Sequence, residues 1–255
     1  RKGSIMFRSL LTLVVAAIFC GGVNAEQEFR LMANTSPPYS DASLPEQGLA
    51  LELVKKIFAQ TDYAPQITIE NWSRALEGTE LDVYDALASA WYSKEREKDL
   101  LFSKPYLRSE LLILKLRSKQ GQYATLDQLA GSRIGVRTDY AYGVDFSAIR
   151  DLTLVQEDLL VPNLLNLLNG KVDFVVADQR TAAMQLHAFF SDKITQFAVT
   201  KIVLPPVERH VAASRAWPEA ENMIEAFNKA LESEQKAGSL DAIINKWDER
   251  YGGIK

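Results

Sequence analysis

The chain has 255 residues, 47% of them hydrophobic and 24% charged, which suits one elaborated globular domain or two modest lobes. This composition excludes a collagen-like, a disordered or a polytopic membrane protein. The formal net charge of -4 argues against a nucleic-acid-binding protein, which needs a basic face. One cysteine and two histidines exclude an internal disulfide and a zinc cluster, and we expect no metal or other cofactor.

The first 25 residues have the layout of a secretory signal peptide. A basic start is followed by an uncharged apolar run over residues 10–19 and by small residues up to Ala25. The run is shorter than the roughly 20 residues of a membrane-spanning helix, so an uncleaved anchor is the weaker alternative. Cys20 follows the bulky Phe19, which argues against lipidation there. We expect cleavage after Ala25 and a periplasmic protein.

In the first half of the chain, short apolar runs alternate with amphipathic stretches. Apolar residues between 49 and 60 fall three and four positions apart, the spacing of a helix with one buried face. Pro37 and Pro38 end the first strand, and Gly78 is expected to end a short helix. Strands are predicted over 29–33, 67–69, 83–90 and 110–116, and helices over 49–60 and 73–78.

The second half repeats this alternation. Thr125 and Gln128 have the spacing of a capping box, which predicts a helix that stops at Gly131. Further strands are predicted over 133–137, 152–156, 172–177 and 201–204, and further helices over 144–149, 161–168, 180–189, 219–236 and 239–247. Strands that alternate with helices indicate an α/β protein with parallel sheets covered by helices on both faces.

Four segments, in order along the chain, carry a family resemblance. They are a Pro-Tyr segment at 34–39, a Glu-Arg run that ends in Phe-Ser-Lys-Pro-Tyr at 93–106, a helix–Gly–strand stretch at 126–136, and a Gly-Lys-Val-Asp strand that ends in aspartate at 170–178. Each segment alone is a weak signal. Together they resemble the bacterial extracellular solute-binding proteins of the polar amino-acid type, family 3.

The resemblance implies a type II periplasmic-binding-protein fold, with two α/β lobes joined by two hinge strands and a ligand cleft between them. Lobe 1 is expected to comprise residues 26–115 and 206–255, and lobe 2 residues 116–205. In open α/β sheets the ligand crevice lies beyond the carboxyl ends of strands. Residues that follow strands are therefore the binding candidates.

Arg96 and Asp178 are the two main candidates. A guanidinium is a planar fork of donors that fits a carboxylate, and the resemblance implies that Arg96 grips the ligand's α-carboxylate. The alternative is a solvated arginine in a mixed-charge helix start. Asp178 ends an apolar strand, and the resemblance implies that it pairs with an α-amino group. It also suits the N-cap position ahead of Arg180.

Aromatic residues are expected to complete the site, because a ring face buries apolar ligand surface and attracts cations. Tyr39, Trp72 and Trp91 are the candidates for this wall, and core packing is the alternative for each. Arg74 either adds a second positive group or pairs with Glu77. The remaining ligand-binding candidates are Ser36, Ser89, Asp139 and Tyr140.

Several positions depart from the family pattern. Asp139, Tyr140 and Ala141 stand where the family usually has Gly-Thr-Thr, and Ser36 stands where amino-acid binders often have Asp. Trp91 takes a position usually held by a small hydroxyl residue. These departures indicate a ligand that is bulkier, flatter or differently charged than an ordinary α-amino acid.

The favoured function is capture of a small polar, carboxylate-bearing solute by a monomer that hands it to the permease of an ABC transporter. One alternative is a dehydratase-like enzyme of the same fold, acting on cyclohexadienyl acids, with Asp139 or Asp178 as the proton-transfer group. Another alternative is a ligand-sensing module. Sequence motifs for a nucleophile elbow, a phosphate loop or a metal-binding helix do not occur, so we expect a protein that is not an enzyme.

Overall fold

The computed structural model describes residues 26–251. The predicted signal peptide, with Cys20 in it, lies outside the described residues. Within the described part of the chain, none of the helices combines the length and apolar character needed to cross a membrane.

Eleven strands and six α-helices alternate along residues 26–251. The strands are β1 (Gln27–Asn34), β2 (Tyr63–Glu70), β3 (Ala86–Trp91), β4 (Leu100–Phe102), β5 (Leu107–Ser109), β6 (Leu111–Leu116), β7 (Arg133–Arg137), β8 (Thr153–Glu157), β9 (Phe174–Asp178), β10 (Phe197–Val199) and β11 (Val207–Ser214). The helices are α1 (Leu49–Phe58), α2 (Trp72–Glu80), α3 (Leu160–Leu168), α4 (Gln179–Phe189), α5 (Ala220–Lys236) and α6 (Ser239–Tyr251).

The strands form two separate mixed sheets. The first has the order β2-β1-β3-β11-β4, with β5 also paired to β11, and the second has the order β10-β6-β9-β7-β8. Strand β1 is parallel to β2 and β3, and β7 is parallel to β8 and β9, whereas β11 and β6 are antiparallel to their neighbours. The α/β class is confirmed, but the sheets are mixed. Strands β6 and β11 enter directly from the other sheet, without the crossover helix that a parallel neighbour needs.

The chain passes between the sheets twice, which produces the two predicted lobes. The first passage lies between Ser109, the end of β5, and Leu111, the start of β6. The second lies between Val199 and Val207, the end of β10 and the start of β11. The expected first boundary at 115/116 is corrected, because β6 pairs with β9 and β10 in the second sheet. Neither glycine nor proline separates β5 from β6, so the sequence carries no sign of this passage.

Each sheet is covered on both faces by buried apolar side chains. In lobe 1, helices α1, α5 and α6 pack on one face, and α2 packs on the other. In lobe 2, helices α3 and α4 cover one face, while loops and single 3-10 turns cover the other. The helices predicted over 125–131 and 144–149 are such turns, Leu126–Leu129 and Phe146–Ala148. The predicted capping box of Thr125 and Gln128 is present.

Two other element predictions are wrong. Helix α2 does not end at Gly78 but continues to Glu80, because Gly78 provides space for the Tyr84 ring rather than a stop. Residues 201–204 form no strand, and the strand that pairs with β6 is β10 instead. Pro205 and Pro206 follow directly and have no backbone N–H to donate.

Candidate functional site

The carboxyl ends of four parallel strands meet where the lobes face each other. Strands β1 and β3 end at Asn34 and Trp91 in lobe 1, and β7 and β9 end at Arg137 and Asp178 in lobe 2. Two adjacent hollows lie at this junction. The first is lined by Asn34, Trp72, Ser89, Trp91, Arg96, Tyr140 and Arg209. The second is lined by Ser36, Trp91, Arg137, Tyr140, Tyr142, Leu160, Val176, Ala177, Asp178, Thr181 and Arg209.

Arg96 lies in the first hollow and reaches from lobe 1 to lobe 2. Its Nη1 donates to the Trp91 carbonyl at 2.8 Å, and its Nη2 donates to the Asp139 carbonyl across the junction. The guanidinium carbon lies 4.7 Å from the centre of the Trp72 ring. Burial lowers the pKa of Arg96, but an arginine stays charged at physiological pH. The half-buried cation is thus held between two lobes and an indole face.

Asp178 lies in the second hollow and is 7% exposed. Both carboxylate oxygens accept from the Tyr39 hydroxyl at 2.8 Å, and Oδ1 also accepts from the Thr181 backbone N–H at 3.0 Å. The latter bond caps α4, as the sequence alternative proposed. Arg209 Nη2 lies 3.6 Å from Oδ2. Asp178 therefore caps a helix, faces the hollow and is already paired with a cation.

Aromatic rings from both lobes meet between the hollows. Trp91 packs edge-to-face with Tyr140 at 4.9 Å and with Tyr142 at 5.7 Å between ring centres, and Trp72 packs with Tyr140 at 5.9 Å. The predicted wall thus includes Trp72 and Trp91. Tyr39 does not belong to it, because its fully buried ring lies beneath Arg209 and its hydroxyl bonds Asp178.

The polar candidates Ser36, Ser89, Asp139 and Tyr140 all lie at the junction. Ser36 Oγ accepts from Arg137 at 3.1 Å, Ser89 Oγ accepts from Arg209 at 2.9 Å, and the Tyr140 hydroxyl accepts from Asn34 at 2.7 Å. Asp139 contributes through its backbone. Its φ of 55° turns the carbonyl toward Trp72 Nε1 at 3.1 Å, while the side chain is exposed.

Arg74 lies away from both hollows, although the sequence suggested it as a second positive group of the site. Its exposed side chain pairs with Glu70 at 3.4 Å rather than with Glu77. Because α2 begins at Trp72, the two residues lie on different sides of the helix, and only Trp72 faces lobe 2.

Two arginines at the junction were missed by sequence reasoning. Arg209, on β11, is 2% exposed and donates to Ser109 Oγ at 3.0 Å and to Ser89 Oγ, with its guanidinium carbon 3.4 Å from the Tyr39 ring centre. Arg137 ends β7 and donates to the Asp158 carbonyl at 2.9 Å. Arg137 ends a predicted strand, and this position could have identified it as a binding candidate.

The described side chains at the junction do not form a metal-binding site. Among residues 26–251, no cluster of three or more His, Cys, Asp or Glu side chains is arranged to hold an ion. The chemistry of the junction is that of cationic donors and aromatic rings.

The sequence matches the model of a known protein family over most of its length. Residues 31–250 match the family model described as bacterial extracellular solute-binding proteins, family 3. The chain belongs to this family. The resemblance found in the four sequence segments is therefore confirmed.

Individual relatives of this family 3 chain are distant. It is 27% identical over 232 residues to the L-cystine-binding protein TcyJ of Escherichia coli K12, covering 85% of this chain and 80% of that protein. It is 29% identical over 181 residues to the virulence sensor protein BvgS of Bordetella bronchiseptica, covering 71% of this chain but only 14% of that sensor.

Solved structures confirm the fold of the family 3 chain. The crystal structure of the amino acid ABC transporter substrate-binding protein AbpA from Streptococcus pneumoniae, bound to L-arginine, superposes with a TM-score of 0.74 at 17% identity. The match covers 91% of this chain and 99% of that one. At this identity the similarity establishes the two-lobed α/β fold.

Proposed function

We propose that this protein captures a small carboxylate-bearing solute between its lobes in the periplasm and delivers it, as a monomer, to the membrane permease of an ABC-type uptake system. The observation that carries the proposal is the first hollow. Within the described chain its lining contains two arginines, Arg96 and Arg209, and no carboxylate. A cationic recess between two lobes suits a small anion. Membership of the solute-binding family supports capture, and the names of relatives such as TcyJ support transport.

Arg96 is the proposed primary contact of the carboxylate. Its two terminal nitrogens donate to neutral backbone carbonyls, of Trp91 and Asp139, in this structure. A ligand carboxylate would replace these neutral acceptors with an anionic one, which the planar guanidinium fork can hold by two parallel bonds. Because Asp139 and Tyr140 belong to lobe 2, the ligand would be held by both lobes and would favour their closure.

We favour binding without catalysis over the dehydratase alternative. The side chain of Asp139 is exposed rather than buried in the cleft. Asp178 accepts bonds from Tyr39 and Thr181 and lies 3.6 Å from Arg209, so its carboxylate is occupied by groups of the protein itself. The similarity to part of BvgS is compatible with a sensing role, which would need the same capture step.

The test is thermal denaturation of the purified protein with a panel of amino acids, dicarboxylates and aromatic acids. A ligand present at a hundredfold excess over its Kd stabilises the folded state by about 2.7 kcal/mol. Recovery of the hit unchanged after long incubation is expected of a carrier, whereas a dehydratase would consume it.

The matched variants are Arg96→Ala and Arg74→Ala. Both remove one arginine of lobe 1, but only Arg96 lines a hollow. We expect Arg96→Ala to lose the ligand-induced rise in Tm, with an unliganded Tm close to wild type, and Arg74→Ala to keep it. An undiminished ligand response in Arg96→Ala would remove this residue from the site.

A further inference from the structure

We infer that the captured solute is a carboxylic acid that carries no ammonium group, rather than a zwitterionic α-amino acid. The inference rests on the proposed capture of a carboxylate and specifies the class of acid. It is argued from the charges lining the hollows, from the pairing of Asp178 and from buried donors that have no acceptor.

The hollows carry an excess of positive charge. Among the described residues that line them, Arg96, Arg137 and Arg209 are cations, and Asp178 is the one anion. A zwitterion would bring one cation and one anion into this recess, so the excess of positive charge would stay unchanged. An anion reduces it, and a dicarboxylate balances it. Like charges brought together in a poorly hydrated site are strongly unfavourable.

The one carboxylate that could receive an ammonium is already paired. Oδ1 of Asp178 accepts from Thr181 and Tyr39, and Oδ2 accepts from Tyr39 and lies 3.6 Å from Arg209 Nη2. An internal guanidinium thus lies where a ligand ammonium would have to lie. Displacing Arg209 is unfavourable, because its side chain is 3% exposed and is held by Ser89 and Ser109.

Two buried donors at the junction have no hydrogen-bond acceptor in the described chain. Within residues 26–251, Arg209 Nη2 and Trp91 Nε1 are buried without a hydrogen-bond acceptor, and both residues line both hollows. The Thr181 hydroxyl, which lines the second hollow, is also unpartnered and is able to donate. A carboxylate offers acceptors to such donors, whereas an ammonium offers only more donors. Unsatisfied buried donors are costly, so the site selects a ligand rich in acceptors.

The deciding experiment compares pairs of acids that differ only in the ammonium group. The standard amino acids other than proline and lysine, and their deamino counterparts, are titrated calorimetrically into the wild-type protein. Examples of such pairs are aspartate with succinate, glutamate with glutarate and phenylalanine with 3-phenylpropionate. We expect the pair that binds best to show a Kd about tenfold or more lower for the ammonium-free member.

Two outcomes contradict the inference in different ways. An amino acid that binds as tightly as its deamino counterpart, or more tightly, overturns the inference and leaves carboxylate capture intact. Absence of binding by every member of the panel overturns the proposed capture itself, and the inference with it.

The variant Arg209→Met tests whether Arg209 is the residue that excludes a ligand ammonium. Removal of this guanidinium leaves Asp178 free to accept from an ammonium, so the preference within the best pair should move toward the amino acid. Arg74→Met, the same substitution outside the hollows, should keep the wild-type preference. A folded Arg209→Met protein with unchanged preference would exclude Arg209 as the determinant. If this variant does not fold, the wild-type comparison still decides the class of ligand.

Discussion

Arg209 links the packing of lobe 1 to the chemistry of the junction. A buried guanidinium is unfavourable unless it is paired and hydrogen-bonded. Here Ser89 and Ser109 accept two bonds, the Tyr39 ring lies against its face and Asp178 supplies the opposite charge. Its Nη2 is buried without a hydrogen-bond acceptor among the described residues, and the residue lines both hollows. Arg209 thus recovers much of the cost of its burial and keeps one donor that a ligand would be able to satisfy.

At the same scale, His210 should make the stability of the protein depend on pH. The ring is buried, its Nδ1 lies 2.7 Å from the Ser103 carbonyl, and burial lowers its pKa, although that hydrogen bond and the charge of Glu208 oppose the shift. The unfolded chain therefore binds a proton more readily than the folded one. The free energy of unfolding should therefore fall as the pH decreases below about 6.5, the pKa of His210 in the unfolded chain. The fall should end once the pH is below the lower pKa of His210 in the folded protein.

The measurement is the urea midpoint of unfolding at pH 7.5 and pH 5.5. We expect His210→Gln to show a smaller loss on acidification than wild type. His187→Gln, which alters the exposed histidine at the end of α4, should show the wild-type loss. Equal losses in all three proteins would exclude His210 as the source.

At the scale of elements, the segment between β1 and α1 positions Tyr39. Gly48 closes this segment immediately before α1 with φ of 112°, a conformation that L side chains rarely adopt. A Cβ at this position would lie 2.4 Å from the Tyr39 carbonyl oxygen. The close approach of two backbone segments, and not only the turn, therefore requires glycine here.

Gly48→Ala should cost more stability than Gly170→Ala. Gly170 also has positive φ, 67°, but a Cβ there meets no atom within 4 Å. We expect Gly170→Ala to lower the free energy of unfolding by about 1 kcal/mol, from backbone strain alone. Gly48→Ala should lose at least about twice as much, because the clash adds to the strain. Urea denaturation of the two variants measures the difference, and equal losses would show that the segment can move aside.

At the scale of the molecule, an ion pair joins the lobes outside the hollows. Arg180, at the start of α4 in lobe 2, donates to both oxygens of Asp248 on α6 in lobe 1, at 2.6 and 2.9 Å. Its remaining nitrogen donates to the Arg108 carbonyl at 3.1 Å. Asp248 raises the pKa of Arg180, since the two charges hydrogen-bond directly. The bidentate pair stabilises the arrangement in which the lobes touch.

Asp248→Asn should shift the unliganded protein toward separated lobes. We expect a larger radius of gyration by small-angle X-ray scattering and a ligand Kd raised a few-fold, since a partly exposed pair contributes up to about 1 kcal/mol. Glu232→Gln removes a carboxylate that pairs with Lys104 within lobe 1, so it should leave both quantities unchanged. An unaltered radius in Asp248→Asn would indicate that the pair does not control closure.

Features that depend on neighbours in the chain were determined by the sequence itself. The spacing of apolar residues predicted α1, α3, α5 and α6, and the short apolar runs predicted the central strands. The family resemblance singled out Arg96 and Asp178, and each lines one of the two hollows. The ordered motifs were sufficient for the family, since they extend over most of the fold.

Features that depend on residues far apart in the chain become visible once the fold brings those residues together. Arg209 bonds Ser109 and Ser89, which lie 100 and 120 residues away in the sequence. The residues next to β11 in the sequence therefore do not indicate a buried cation at the cleft. The pairing of β6 with β9 and the use of the Asp139 carbonyl in place of its side chain likewise follow from how the two lobes meet. A local pattern records which residues are apolar and where a strand ends, whereas the partner of a buried charge is set by the packing of the whole molecule.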